Sequence, residues 1–548
     1  MRKDGIAIHC VLWMLSVVAL LCIILIPNIV YAIIHDAGIS YIITSTIFAL
    51  PIIGFASLIH KRWIYCILLG LITIFSIIDL SMVDIYRDYL LPGGIISTIK
   101  TNNQEAREFY LTNINEILRW IPLLLLAVCS GVSFRVHRGK RFRVILVAIC
   151  LLLPSAFVTG KIVYSYDSAI TLRYYVNNRI LNRPPYNVIY QTINAAKELN
   201  KRKMILRANL VDFGAQRDVV SNKEVYILAI GESLRYDNLS LNGVYPRSTT
   251  PKLERMDNLL LFHDYYSQAC LTMYSVPQLI TRATPEDYDL SFQERSIIEP
   301  FRECGFKTYT IVSSTNLLAY EKYLSSGVDS LIIVSNVVDK GEIISGDKSM
   351  AAIVDSLITQ HDKVFIMMQF YGNHSFFTNY EPEFDVYKPN INTCTEDEKQ
   401  LSDSLLINAY DNSILYTDYI LESIINAINK KDVTSAMLFV SDHGECITKD
   451  GAGHGGNCKP YKEEYHVPLI FWWSEAYDLQ YPEKVEEATK NTYAKINGDN
   501  VFYSVCDMAD IVIDSIYNEP TWSIFSSKFK EHTRFILMPD GKTTIQPK

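Results

Sequence analysis

The stretch AMLFVSDHGECITKDGAGHGG, residues 436–456, combines an apolar run with a group of polar residues. Its apolar opening, 436–440, stops abruptly at Ser441, Asp442, His443, Gly444 and Glu445. A continuous apolar run of this length is typical of a strand buried on both faces, as in a parallel sheet. Carboxylate and imidazole groups at its end are ligands that divalent metals bind. The stretch therefore predicts a buried strand that delivers metal ligands to its carboxyl end.

Other runs of the same character recur along the chain and alternate with amphipathic helical stretches. They are EVYILAI (224–230), KTYTIVS (307–313), KVFIMMQF (363–370) and VPLIFWW (467–473). Apolar strands interspersed with helices favour a mostly parallel α/β sheet that is covered on both faces. In such sheets, ligands collect at the carboxyl ends of the strands.

Potential metal ligands follow several of these strands. Taken singly, each has a structural explanation, because a carboxylate can neighbour a helix cap or form a turn and a histidine can be a hydrogen-bonded structural residue. Together they predict a site for a divalent metal of the zinc class with oxygen and nitrogen ligands. The candidates at strand ends are Glu232, His374, Asp442 and His443, and two further histidines follow at His454 and His466.

A candidate nucleophile lies in ACLTMYSVPQLITRA, residues 269–283, where Thr272 and Ser275 are the central hydroxyls. A metal with an open position can activate a bound water or hydroxyl. Hydrolysis would need only water, whereas transfer favours a covalent intermediate on a protein hydroxyl. The alternative is that these residues cap a helix that follows Pro277. Spacing alone leaves both alternatives open.

The front of the chain differs from the rest in charge and hydropathy. Residues 1–165 carry 14 Lys+Arg and 8 Asp+Glu, a net charge of +6, and the remainder has a net charge of −14. A membrane-spanning helix needs roughly 20 apolar residues. Five apolar runs approach or reach this length, at about 6–33, 42–59, 63–80, 117–134 and 144–163. We expect five transmembrane helices, of which the first is too long for a simple signal peptide.

Basic clusters at 2–3, 60–62 and 135–143 all fall on one side of the predicted spans. By the positive-inside rule this side is cytoplasmic. The predicted organisation is a transmembrane domain (1–165) with an outward loop (82–116), a connector (166–220) and an exported catalytic domain (221–548). The exported part holds six cysteines, an even number where disulfides are permitted, and Cys446–Cys458 is our first candidate pair.

Several motifs occur in an order that resembles the membrane-bound phosphoethanolamine transferases of Gram-negative bacteria. They are GESLRYDNLSLNGVYPRSTTPKL (231–253), TMYSVPQL (272–279), GNHSFF (372–377), NAYDNSILYTD (408–418), SDHGE (441–445) and HVPLIFW (466–472). The resemblance covers essentially the whole chain. It implies five transmembrane helices followed by a periplasmic domain with the sulfatase and alkaline-phosphatase fold.

The resemblance also implies roles for individual residues. Glu232, Thr272, Asp442 and His443 match the family's tightly bound zinc site, with Thr272 as the nucleophile. The matches to the family's further histidines, which bind the phosphoryl group or a second zinc, are His374, His454 and His466. Thr101 and Glu105, in STIKTNNQEAREF (97–109), match a helix that lies at the membrane surface and helps to hold the donor lipid. An ordinary amphipathic interfacial helix would have the same composition.

The activity that the resemblance implies is zinc-dependent transfer of phosphoethanolamine through a phosphothreonine intermediate. The expected partners are phosphatidylethanolamine as donor, lipid A or lipopolysaccharide core as acceptor and the inner-membrane bilayer, with no nucleic acid. Gln268 and Gln278 depart from the family, in which many members have a disulfide at these positions.

Three alternatives remain at the level of the sequence. A transferase of the same plan could use phosphatidylglycerol or another acceptor glycan, although the YPR, SVP and NAYDN stretches argue against it. A hydrolytic sulfatase needs Cys or Ser followed by x-Pro-x-Arg, and Leu279 stands where Ser275 would require that arginine. A non-enzymatic membrane sensor or scaffold predicts missing ligands, whereas every position of the expected zinc site holds a competent residue.

Overall fold

The structure, a computed structural model, divides the chain into two compact units, which we describe separately. Unit 1 is Met1–Ile95 with Asn103–Lys197, and unit 2 is Ile96–Asn102 with Glu198–Lys548. The described residues are 2–86, 88–100, 103–134, 140–164, 176, 180–204, 212–218, 223–313, 327–334, 337–339, 342–344, 346–374, 377, 380–391, 393, 403–447, 453–454 and 461–547. The predicted boundaries at 165 and 220 stay predictions.

Among the described residues up to 204, the regular structure is helical. The helices are α1 (Arg2–Ile34), α2 (Gly38–Leu58), α3 (Arg62–Tyr86), α4 (Pro92–Lys100), α5 (Asn103–Leu118), α6 (Pro122–Ser133), α7 (Lys140–Tyr164) and α8 (Asn187–Met204). Five helical stretches are long and apolar enough to cross a membrane. They are Val11–Ile34, Gly38–Leu58, Arg62–Tyr86, Asn113–Ser133 and Arg141–Gly160, so each predicted span has a counterpart.

Side chains from α1, α2 and α3 form the apolar core of unit 1, including Leu20, Ala49 and Leu69. Polar side chains are also buried within this unit. Asn28 donates from Nδ2 to the carbonyl of Pro184, and Asn187 donates from Nδ2 to Asp79 Oδ1 at 2.8 Å. Because a buried polar group is costly unless it is hydrogen-bonded, these bonds tie the segment after the fifth span to the helices.

A sheet of seven strands organises unit 2, in the order β2–β10–β9–β1–β8–β4–β5. The strands are β1 (Glu224–Gly231), β2 (Leu259–Phe262), β4 (Lys307–Val312), β5 (Ser330–Ile333), β8 (Lys363–Gln369), β9 (Thr434–Ser441) and β10 (Leu469–Trp473). The ladders that join β9, β1, β8, β4 and β5 are all parallel. β10 runs antiparallel to both of its neighbours. The predicted mostly parallel sheet is therefore confirmed.

The two faces of the sheet carry separate apolar cores, as expected for strands buried on both sides. Along β1, Tyr226, Leu228 and Ile230 belong to one core, whereas Val225 and Ile227 belong to the other. The helices of unit 2 are α9 (Thr272–Leu279), α10 (Ile298–Glu303), α11 (Met350–Gln360), α12 (Asp403–Asn429), α13 (Lys462–Tyr465), α14 (Glu475–Gln480), α15 (Pro482–Lys490) and α16 (Asp499–Met508).

Short strands complete unit 2 outside the main sheet. They form three two-stranded pairs: β3 (Tyr265–Tyr266) with β11 (Ile496–Asn497), β6 (Val337–Asp339) with β7 (Glu342–Ile344), and β12 (Ile536–Leu537) with β13 (Thr544–Ile545). β3 leads directly into the segment that carries the candidate nucleophile. Through its pairing with β11 it fixes where that segment begins.

Candidate metal centre

Three predicted ligands meet at one edge of the sheet. Glu232, Asp442 and His443 each offer a ligand atom, and these atoms all lie within 4.8 Å of one another. All three residues are buried. They meet because β1 and β9 are parallel neighbours in which Gly231 pairs with Ser441, so the residues that follow both strands emerge side by side.

The two oxygens of Asp442 have different surroundings. Oδ1 accepts backbone hydrogen bonds from Ser233 at 3.1 Å and from His443 at 2.7 Å. Oδ2 is buried, accepts no hydrogen bond from the residues that the structure describes and lies 3.4 Å from His443 Nε2. A buried carboxylate oxygen without a donor is costly unless a cation satisfies it. The environment of Asp442 therefore fits a metal ligand.

His443 is oriented by its own backbone neighbour. Its Nδ1 lies 2.8 Å from the Gly444 carbonyl oxygen, so the proton belongs on Nδ1 and Nε2 keeps a free lone pair. Nε2 lies 3.5 Å from Glu232 Oε1. Burial lowers the pKa of His443 from 6.5 to about 4, against the opposing effect of Asp442. The ring is therefore neutral near pH 7 and can donate its Nε2 lone pair to a metal.

Gly444 allows the chain to pass close behind these ligands. A Cβ atom at this position would lie 2.0 Å from the carbonyl oxygen of Glu463. The Gly444 amide also donates to the Glu464 carbonyl at 2.8 Å. The segment before β10 therefore runs directly beside the ligand segment, and only glycine leaves room for it.

Thr272 joins the same cluster from the first residue of α9. Leu271 before it is extended, and Thr272 Oγ1 lies 3.1 Å from His443 Nε2. The positive end of the helix dipole favours negative charge at this position. The helix begins at Thr272 and includes Pro277. The alternative in which a hydroxyl caps a helix after Pro277 is therefore wrong.

His454 lies against His443 and is held by Glu445. The two histidine ring centroids are 4.1 Å apart, and His454 Nδ1 lies 2.9 Å from Glu445 Oε2. Burial lowers the pKa of His454 to about 4, and burial raises the pKa of Glu445 to about 7. The ring of His374 stacks on Tyr371 with centroids 4.7 Å apart, and its charge adds to the lowering of the pKa of His454 but opposes the rise in the pKa of Glu445.

His466 has different neighbours. Its Nδ1 lies 3.5 Å from Asp237 Oδ1 and its Nε2 lies 3.2 Å from the His263 carbonyl oxygen. Its ring packs on Tyr236, with centroids 4.4 Å apart. Within the described residues, these contacts lie beside the metal-ligand cluster and do not join it.

Some predicted residues cannot be placed. Thr101 lies outside the described residues, as does the Cys458 half of the candidate disulfide, and the side chain of Glu105 on α5 is likewise outside them. Sequence reasoning assigned no role to Glu445 or Asp237. Glu445 belongs to the SDHGE motif, and this motif is the sequence signal that could have identified it. Asp237 and His466 are more than two hundred residues apart in the chain, so no local sequence pattern predicts their contact.

Comparisons with known proteins agree with this architecture. A family model described as Sulfatase matches residues 224–511. The phosphoethanolamine transferase EptC of Escherichia coli (strain K12) is 25% identical over 373 residues, which cover 64% of this chain and 62% of that protein. The match thus spans less than two thirds of the length of this curated relative.

Solved structures are similar in fold. The integral membrane lipooligosaccharide phosphoethanolamine transferase A from Neisseria meningitidis superposes with a TM-score of 0.72, 18% identity and coverage of 93% of this chain and 97% of that one. The periplasmic domain of EptC from Escherichia coli, in a complex with Zn, gives a TM-score of 0.53, 23% identity and coverage of 62% and 96%. The family model therefore confirms the sulfatase family, and the structural likenesses confirm the fold that the motifs indicated.

Proposed function

This chain belongs to the sulfatase family, and we propose that it is a zinc-dependent phosphoethanolamine transferase of the bacterial inner membrane. The proposed donor is phosphatidylethanolamine, and the proposed acceptor is lipid A or lipopolysaccharide core. The names of its relatives support phosphoethanolamine as the transferred group. The helices long enough to span a membrane support lipid substrates. The basic clusters at 2–3, 60–62 and 135–143 support a cytoplasmic N-terminus and a periplasmic unit 2.

The donor set fits zinc. Glu232, Asp442, His443 and Thr272 would hold the ion through oxygen and nitrogen atoms, which suits this metal. The unsatisfied Oδ2 of Asp442 and the unprotonated Nε2 of His443, which faces Thr272 Oγ1, support the assignment. A bound zinc would act as a Lewis acid that lowers the pKa of the Thr272 hydroxyl, so that its proton is lost to solvent before attack.

In the first half-reaction, Thr272 Oγ1 attacks the phosphorus of the donor. A Thr272 Oγ1–P bond forms, and the bond from phosphorus to the diacylglycerol oxygen breaks. The amino end of α9 stabilises the negative charge on the phosphoryl oxygens. We assign protonation of the leaving oxygen to His374, because the two ring nitrogens of His466 face Asp237 and the His263 carbonyl.

In the second half-reaction, an oxygen of the acceptor attacks the phosphothreonine. The acceptor O–P bond forms and the Thr272 Oγ1–P bond breaks, and His374 takes back the proton that the acceptor loses. The buried walls around Glu232, Asp442 and His443 exclude bulk water, which favours transfer over hydrolysis. Anchoring in the bilayer would supply both lipids at high local concentration.

The observation that carries the proposal is the position of Thr272 Oγ1, 3.1 Å from a metal-ligand nitrogen and at a helix amino end. The test is mass spectrometry of lipopolysaccharide from cells with and without the protein, with lipid A and core separated. The expected result is an added phosphoethanolamine on one fraction, absent with Thr272→Ala. An unchanged lipopolysaccharide in cells that contain the folded, zinc-loaded protein would contradict the proposal.

A further inference from the structure

The motif NAYDNSILYTD, residues 408–418, takes no part in the chemistry proposed above. It lies on α12, and its first seven residues are all buried. One of its side chains, Asp411, reaches the loop that begins at the ligand Glu232. Asp411 accepts hydrogen bonds from Asn238 Nδ2 at 3.0 Å and from the Tyr245 hydroxyl at 2.7 Å. The motif therefore fastens this loop to α12.

The neighbouring side chain, Tyr410, reaches the part of the loop that lies next to Glu232. Its hydroxyl donates to the Ser233 carbonyl at 2.7 Å and accepts a hydrogen bond from the Arg235 amide at 2.8 Å. Tyr410 is fully buried, and its ring packs edge-on against Phe377 with centroids 4.8 Å apart. A tightly packed ring thus holds a hydroxyl between two backbone groups of the loop.

Ser233, directly after the ligand Glu232, has a left-handed backbone with a φ of 56°. A serine adopts this conformation only where its surroundings hold it there. Its amide donates to Asp442 Oδ1 at 3.1 Å, and its hydroxyl donates to Glu232 Oε1 at 3.0 Å. That Oε1 is the oxygen that lies 3.5 Å from His443 Nε2. The left-handed residue therefore links the two carboxylate ligands, and Tyr410 bonds its remaining polar group, the carbonyl.

We propose that Tyr410 is a positioning residue of the metal site. Its hydroxyl holds Ser233 in the left-handed conformation that directs the Glu232 carboxylate toward Asp442 and His443. This role rests on the proposed zinc site and adds to it a residue that is not itself a ligand. Hydrogen-bonding groups that orient metal ligands typically contribute about 10- to 100-fold to metal affinity.

The alternative is that Tyr410 only fills the core, so that its ring matters and its hydroxyl does not. Tyr410→Phe separates the two roles, because phenylalanine keeps the ring and removes only the hydroxyl. The Ser233 carbonyl then loses the donor that holds it, and the Arg235 amide loses its acceptor. In the positioning role the metal ligands move apart, whereas in the packing role they stay where they are.

The test measures the zinc affinity of the purified full chain by competition with a chelator. We expect Tyr410→Phe to bind zinc at least about 10-fold more weakly than the wild type. Tyr477→Phe is the matched control, because Tyr477 is also fully buried and its hydroxyl donates to the Met508 carbonyl at 2.9 Å. That carbonyl belongs to α16, which carries none of the proposed ligands, so this variant should keep the wild-type affinity.

A second readout is the visible spectrum of the chain loaded with Co²⁺, which reports the geometry of the ligands. We expect a changed spectrum in Tyr410→Phe and the wild-type spectrum in Tyr477→Phe.

Wild-type affinity and spectrum in Tyr410→Phe would overturn the positioning role. An equal loss of affinity in both variants would also overturn it, because it would reflect a general loosening of the fold. The same holds if the melting temperature shows that Tyr410→Phe alone fails to fold, since the hydroxyl would then serve the core. A wild type that binds no zinc would instead overturn the proposed metal site, and the role of Tyr410 with it.

Discussion

At the scale of single residues, the surroundings of Asp442 give the strongest support for a bound metal. One of its oxygens is fixed by two backbone amides, and the other is buried without a donor. Hydrogen bonds that orient a ligand and a free oxygen that faces the other ligands are the two features expected of a carboxylate that binds a metal.

We predict that Asp442→Asn removes zinc from the purified full chain. The amide keeps the size of the side chain, but it carries no charge and places N–H donors or a weaker oxygen toward His443 Nε2. Zinc measured by elemental analysis should fall from about one ion per chain to a small fraction of that value, since loss of a charged ligand weakens zinc sites strongly. Asp257→Asn, at an exposed position, is the control. Full zinc content in Asp442→Asn would contradict the ligand assignment.

The residues of this site differ in how far the sequence could predict them. Glu232, Asp442 and His443 were predictable because each directly follows an apolar strand, and parallel strands end at one edge. Spacing could not choose Thr272 over Ser275, because the decisive contact, Thr272 Oγ1 to His443 Nε2, joins residues 171 positions apart. The contact between Asp237 and His466 could not be predicted either, because these two residues are also far apart in the sequence.

At the scale of elements, the start of α16 is tied to the segment before the nucleophile. Gln268, at a position where many members of the resembled family have a disulfide, donates from Nε2 to Asp499 Oδ1. Asn497 donates from Nδ2 to the other oxygen at 3.0 Å. Gln268 thus makes a buried amide–carboxylate contact with the start of α16, and this contact can respond to pH.

Burial raises the pKa of Asp499 from 3.8 to about 7, against hydrogen bonds from Gln268 and Asn497. The folded state therefore favours the protonated acid, and this contribution to stability is present below pH 3.8 and is lost as the pH rises through about 7. We predict that the free energy of unfolding falls with pH across this window in the fragment 198–548 and that Asp499→Asn flattens the fall. Denaturant unfolding at several pH values measures it. An identical slope in both proteins would exclude Asp499 as the cause.

The principal strands could be predicted because their apolar runs are continuous, and five predicted runs correspond to β1, β4, β8, β9 and β10. β2 was not predicted, because its four residues, Leu259–Phe262, are too few for hydrophobic periodicity to identify a strand. The antiparallel direction of β10 could not be predicted from the sequence either. Strand direction depends on connections between distant segments, which an apolar run does not encode.

At the scale of the whole molecule, the chain combines a unit with helices long and apolar enough to span a membrane and an α/β unit that has its own cores on both sheet faces. The charge difference between the front and the rest of the chain was sufficient to predict this division. Sidedness still rests on the basic clusters alone, and it stays a prediction.

We predict that the fragment 198–548 binds zinc but releases diacylglycerol from vesicles at least about ten-fold more slowly than the full chain. The proposed metal ligands all lie within the fragment, whereas the apolar helices that would keep it at the bilayer surface are missing, and tethering raises the effective concentration of the donor. Vesicle assays at equal zinc content measure the difference. Equal rates would mean that the spans do not deliver the donor.

The central claim is that Thr272 carries the transferred group. The most direct measurement is intact-protein and peptide mass spectrometry of the full chain after incubation with phosphatidylethanolamine alone, with Thr272→Ala as the control. We predict a phosphoethanolamine adduct on Thr272 and none in the variant. An adduct on another residue, or transfer by Thr272→Ala at the wild-type rate, would contradict it.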